Sequence, residues 1–128
     1  MKQVLNSTDA PAAIGPYSQG IAAGGTVYVS GQLPIIPATG ELHTGSVADQ
    51  TRQALRNIAA ILKEAGCGMA DVVKTTVLLR DIADFGEMNA AYAEFFPTDA
   101  PARACFQAAC LPKNAALEIE CVAVRDRA

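Results

Sequence analysis

Arg103, Cys105 and Gln107 recur at every second residue in one segment, and Glu118 and Glu120 do the same in another. In extended chain, residues two apart share a face, so each segment presents its polar groups together. If the two segments pair as a hairpin with their apolar sides together, Phe106, Ala108 and Cys110 join Leu117 and Ile119. Arg103, Cys105 and Gln107 then share a surface with Glu118 and Glu120. The planar fork of a guanidinium suits bidentate capture of a carboxylate, and a glutamate can take a proton from water. Together these groups could bind a small acid and hydrolyse it. The same two residue types also make inert ion pairs at subunit interfaces.

Other chemistries find less support. Cys105 as a covalent nucleophile needs an activating base, and no histidine stands near it in sequence. His43 is the only histidine and lies in a Pro/Gly-rich stretch, which leaves no His-containing metal cluster and no Cys-His dyad. Gly66-Cys67-Gly68 follows a helical pattern and not a strand, so it is no dinucleotide fingerprint. Ser30-Gly31 lacks the frame of a nucleophile elbow, and no phosphate-binding loop occurs. Tyr17 and Asn89, taken alone, read as ordinary hydrogen-bonding residues. Cys67, Cys105, Cys110 and Cys121 form no C-x-x-C pair and read as reduced, buried thiols.

The elements that must position these groups follow from Gly and Pro punctuation. Two short strands, Ser18 to Ala22 and Thr26 to Ser30, flank Gly24-Gly25 as a hairpin, with Lys2 to Leu5 as an edge strand before them. Gly31 to Gly45 carries Pro34, Pro37 and Gly40 and reads as a loop with turns. Ser46 with Asp49 marks a helix start; Thr51, Leu55, Ile58, Leu62 and Ala65 form its apolar stripe, and Gly66 ends it. Val72 to Leu79 is a β-branched strand. Asp84 with Glu87 begins a second helix, whose apolar face is Phe85, Met88, Tyr92, Phe95 and Phe96, and Pro97 stops it. Arg103 to Ala109 and Leu117 to Val124 are the last two strands.

The resulting order is βββαβαββ, an α+β fold with two helices on one face of a mixed sheet. On the last strand Leu117, Ile119, Cys121 and Ala123 suit the helices, while Glu118, Glu120, Val122 and Val124 point away. A half-apolar face without helices is the kind that another subunit covers, so a homo-oligomer is expected.

Composition bounds the rest. The chain has 128 residues, 51% hydrophobic and 18% charged, with a mean hydropathy of +0.20, which suits one globular domain over residues 1–128 with no room for a separate cofactor domain. Three Tyr, four Phe and no Trp mean that the core is aliphatic. A net charge of -3 and a pI near 5.0 give no electrostatic footprint for nucleic acid. The N-terminus lacks a signal-like apolar region, and no stretch is long and apolar enough for a membrane, so a cytoplasmic protein is expected.

Several segments taken together carry a resemblance. They are Ala10-Pro11-Ala12-Ala13-Ile14-Gly15-Pro16-Tyr17-Ser18-Gln19-Gly20, Val29-Ser30-Gly31-Gln32-Leu33-Pro34, Pro101-Ala102-Arg103-Ala104-Cys105, and Leu111-Pro112-Lys113-Asn114 running into Leu117-Glu118-Ile119-Glu120. With Asp71 to Val77 and Asn89-Ala90-Ala91-Tyr92, the chain resembles the reactive intermediate deaminase family, RidA or YjgF, over essentially its whole length. The resemblance implies a chorismate-mutase-like fold, a homotrimer with clefts between subunits, and hydrolysis of 2-imino acids to 2-oxo acids and ammonia without a cofactor or metal. It implies Arg103 as the carboxylate anchor and Glu118 as the residue that holds or activates water. Tyr17, Ser30, Gly31, Asn89 and Cys105 are implied to line the substrate pocket. Ala104-Cys105-Phe106-Gln107-Ala108-Ala109 departs from the family, many members of which read Ser-Cys-Val-Glu-Val-Ala there.

Two rival readings remain from the sequence. One is a binding or holdase-like protein that takes small carboxylates without turnover. The other is an endoribonuclease or translation inhibitor, an activity linked to the same family, against which the acidic pI argues.

Overall fold

The computed structural model describes residues 1–125. Ten elements follow in chain order: strands β1 Lys2–Leu5, β2 Gly20–Ala23, β3 Thr26–Gln32, β4 Ile35–Ile36 and β5 Glu41–Leu42, helix α1 Val47–Glu64, strand β6 Val72–Leu79, helix α2 Phe85–Ala93, and strands β7 Ala102–Gln107 and β8 Leu117–Val124. The Pro/Gly stretch read as loop contains a short ribbon, because Ile35 and Ile36 pair with Leu42 and Glu41 across the turn. No described helix is long and apolar enough to cross a membrane.

Helix α1 is specified at both ends and along one face. Ser46 Oγ accepts from the Asp49 N–H at 3.1 Å, and Glu87, on α2, accepts from the Ala48 N–H at 2.9 Å, so two orphan donors of the first turn are satisfied. At the other end Gly66 has φ +73, and its N–H reaches the Lys63 carbonyl while the Cys67 N–H reaches that of Leu62. This is the Schellman pattern, which favours Gly at that left-handed position. Thr51, Ala54, Leu55, Ile58, Ile61 and Leu62 are fully buried. Each large aliphatic side chain among them contributes about 1.5–3 kcal/mol relative to exposure.

The second helix departs from its expected cap and face. Asp84 makes no side-chain cap; Asp81 caps the preceding turn by accepting from the Ala83 N–H. Met88, Tyr92 and Phe96 are buried, whereas Phe85 is 39% exposed.

Six strands form one sheet in the order β1-β2-β3-β8-β6-β7. The expected hairpin of β7 with β8 is not formed. β6 lies between them, antiparallel to β8 and parallel to β7, because the βαβ connection through α2 returns the chain beside the strand it left. Directly opposite residues share a face, so Arg103, Thr75 and Cys121 lie on one side, as do Cys105, Val77 and Ile119. That side is the helical one: Val77, Leu79, Leu117, Ile119 and Ala123 are fully buried there. The other face, which no described helix covers, exposes Tyr28 (51%), Phe106 (52%) and Val124 (46%).

Candidate functional site

The uncovered face holds a cleft of about 970 Å³ lined by Tyr17, Ser30, Gly31 and Glu118, with Ile14 and Leu33 on its apolar wall. Glu118 reaches it from β8 and Gly31 from β3, where the pairing shifts register between Val29 and Gln32. A Cβ on Gly31 would lie 2.7 Å from Glu118 Oε2, so the carboxylate occupies space that any other residue would claim. A smaller recess of about 120 Å³ beside it is lined by Gly31, Thr76, Leu78, Glu118 and Glu120. Burial and then the nearby Glu120 carboxylate push the Glu118 carboxyl above the usual glutamate range.

Buried amides hold the cleft walls. The Gln19 side chain accepts from the Ser7 N–H at 2.6 Å and donates to the Ser7 and Pro11 carbonyls at 3.1 and 2.8 Å, which fixes the segment that carries Tyr17. Ser30 Oγ donates to the Ser18 carbonyl at 2.6 Å, so toward any further partner it acts as an acceptor. Asn57 on α1 donates to the Leu33 and Ile35 carbonyls at 3.2 and 2.9 Å, tying the apolar wall to the core. Gln19 and Asn57 escaped the sequence reading; nothing in an isolated Gln or Asn announces burial.

Arg103, Asn89 and Cys105 lie elsewhere. Their shared polar surface with Glu118 is overturned: Arg103 and Cys105 emerge on the helical face and Glu118 on the other, since β6 separates β7 from β8. Arg103 Nη1 donates to Asn89 Oδ1 at 2.8 Å, and the guanidinium carbon stands 4.7 Å from the Tyr92 ring centre and 5.4 Å from that of Phe85. Both described ion pairs belong to Arg52, so Arg103 faces no carboxylate among the described residues. Cys105 is half-buried, and burial raises its thiol against the opposing pull of Arg103; it is therefore a thiol near neutral pH and no ready nucleophile. Gln107 accepts from the Ile82 N–H at 2.9 Å, which pins the turn leading into α2. Cys67 and Cys121 are buried as expected, whereas Cys110 is exposed.

A mixed sheet with one helical layer, a cleft with Glu118 on the bare face, and Arg103 on the helical side of the edge strand β7 make up this α+β domain. The chain belongs to the family described as Endoribonuclease L-PSP, which matches residues 7–125 and is the RidA/YjgF family of the resemblance. It is 48% identical over 125 residues, 98% of this chain and 91% of the relative, to a human protein named 2-iminobutanoate/2-iminopropanoate deaminase. It is 51% identical over 95% of its length to 65% of an Arabidopsis thaliana protein named Reactive Intermediate Deaminase A, chloroplastic. Among solved structures, E. coli TdcF with bound serine superposes with a TM-score of 0.93 at 43% identity, over 97% of this chain and 99% of that one.

Proposed function

We propose that this protein is a 2-imino acid deaminase, hydrolysing small reactive imines such as 2-iminobutanoate and 2-iminopropanoate to 2-oxo acids and ammonia. The observation that carries the reading is the near-full-length identity to curated relatives of that name. The group around Arg103 and the cleft around Glu118, taken as two half-sites, give it a chemistry. Arg103, whose charge no carboxylate among the described residues neutralises, binds the substrate carboxylate with its fork. Glu118, made more basic by burial and by Glu120, takes a proton from water as the oxygen adds to C2. The imine nitrogen takes that proton from Glu118 as its π bond opens, giving a carbinolamine. Glu118 then moves the hydroxyl proton to the amine nitrogen, which restores a C=O bond as ammonia leaves. Tyr17, Ser30 and Gly31 line the Glu118 side of the cleft, and Asn89 and Cys105 flank Arg103.

Arg103 and Glu118 emerge on opposite faces of one sheet, so a single chain does not offer both to one small substrate. The reading therefore requires Arg103 of a neighbouring copy to enter the Glu118 cleft, as in a homotrimer with a cleft at each junction. The exposed Tyr28, Phe106 and Val124 are apolar surface on the face that such an assembly buries.

The test supplies imines in situ from threonine or serine with a dehydratase and follows 2-oxo acid release. Added protein is expected to accelerate release. Unchanged release would overturn the deaminase reading, and 2-oxo acid binding without acceleration would favour a carboxylate-binding protein.

A further inference from the structure

Among the described residues the guanidinium of Arg103 has no counter-charge, and what holds it is legible atom by atom. Its contacts are two aromatic rings, one neutral amide and the hydroxyl of Tyr92 itself, none of them a carboxylate. The nearer ring is fixed independently of the arginine. Tyr92 is 5% exposed, and its hydroxyl hydrogen-bonds Thr75 Oγ1 at 2.7 Å. Thr75 is 1% exposed and lies directly opposite Arg103 in the β6–β7 register. The ring also packs against Phe96, with ring centres 4.7 Å apart. Tyr92 thus has anchors other than Arg103, Thr75 at its hydroxyl and Phe96 at its ring.

This arrangement has a use. A carboxylate partner would fix the arginine too, but it would spend the charge and the hydrogen-bonding fork that a substrate acid needs. An aromatic face attracts a cation through its quadrupole and leaves the in-plane N–H groups free, with Asn89 taking one of them. We propose that Tyr92, assisted by Phe85, is a positioning residue that orients Arg103 for carboxylate capture while keeping its charge unneutralised; this rests on the carboxylate-anchor reading given above.

The test uses the full chain in four forms: wild type, Tyr92→Leu, Tyr92→Phe and Phe85→Leu. Steady-state turnover of in situ imine is measured together with calorimetric binding of 2-oxobutanoate. Loss of the ring in Tyr92→Leu is expected to raise KM and the 2-oxobutanoate Kd by roughly tenfold, with kcat within about twofold of wild type. Tyr92→Phe keeps the ring but loses the hydroxyl's contacts with Thr75 and Arg103, so it is expected to raise KM and Kd by clearly less than Tyr92→Leu does, even where its melting temperature falls. Phe85→Leu, at a partly exposed position, is expected to raise both by a few-fold. Wild-type KM and Kd in Tyr92→Leu would overturn the proposal. So would a Tyr92→Phe as impaired in binding as Tyr92→Leu, because a purely structural role would weaken both alike. If Tyr92→Leu does not fold, an unchanged Kd in Phe85→Leu overturns it. A wild-type protein that binds 2-oxobutanoate without turning over imines would refute the deaminase reading and leave the binding arm to decide this one.

Discussion

The carboxylate of Glu118 sits over Gly31, so close that a Cβ there would stand 2.7 Å from Oε2 and 2.9 Å from Cδ. The atoms in conflict are the far end of a flexible side chain, so the protein has a cheap way out: the carboxylate swings aside. Gly31→Ala is therefore expected to change unfolding free energy by less than about 1 kcal/mol while lowering kcat by up to about 10²-fold. Denaturant melts beside imine turnover measure both. A variant as active as wild type would show that the place of Glu118 over Gly31 does not matter to the reaction.

Glu118 supplies a second prediction through its raised carboxyl, for which burial is the first cause and Glu120 the second. A base works deprotonated, so kcat/KM falls as pH drops through a value above the ordinary glutamate range. Glu118→Gln is expected to lower kcat by about 10²–10⁴-fold and to abolish that acid limb. For stability the sign is opposite to that of a salt-bridged acid. The folded state prefers the protonated form, so stability is fully present below the unfolded glutamate pKa and is lost as pH rises through the raised folded value. The neutral Gln variant should thus melt above wild type at pH 8, with the gap closing toward pH 4.

How far the sequence could reach is shown by α1 and by β7. In α1 one apolar stripe, a Ser N-cap and a C′ glycine all point to the same element, and Thr51, Leu55, Ile58, Leu62 and Ala65 are all buried in it. In β7 the two-residue spacing does place Arg103, Cys105 and Gln107 on one face, but alternation within a strand carries no information on which strand lies alongside. Two clues favoured β6: residues 108–116 are long for a hairpin loop, and β6–α2–β7 is a crossover unit. The cleft residues Tyr17, Ser30, Gly31 and Glu118 were legible as a set through family motifs. Gln19 and Asn57 were not, because their amides serve distant backbone carbonyls that no local pattern reveals.

The structural task of Gln107 is to accept the Ile82 N–H. A carboxylate accepts that bond equally well. Four residues of strand separate it from Arg103, roughly 13 Å, beyond the screening length of about 8–10 Å at ordinary salt. Gln107→Glu is expected to leave kcat/KM within about twofold, whereas Gln107→Ala should cost about 0.5–1.5 kcal/mol of stability. A large KM change in the Glu variant would mean that the charge at this position reaches the substrate.

Arg103→Lys keeps the charge but loses the planar fork and the stacking surface that Tyr92 offers. KM for the imine is expected to rise by tenfold or more, on the scale of one lost charge-assisted hydrogen bond at about 1.5–3 kcal/mol. Wild-type KM in that variant would remove Arg103 as the anchor.

The placement of Arg103 and Glu118 on opposite faces allows a decisive mixing experiment. Arg103→Ala and Glu118→Gln chains should each be inactive alone. If every working cleft takes its arginine from one copy and its glutamate from the next, unfolding and refolding the two variants together at equal amounts lets copies assort at random in closed rings. About one quarter of the clefts then receive an intact Arg103 facing an intact Glu118, and about that share of wild-type activity should return. Clefts built within single chains would regain none, because every chain carries one lesion. Recovery near a quarter, absent when the two variants are mixed without unfolding, would identify the cleft as shared between copies; no recovery would refute it.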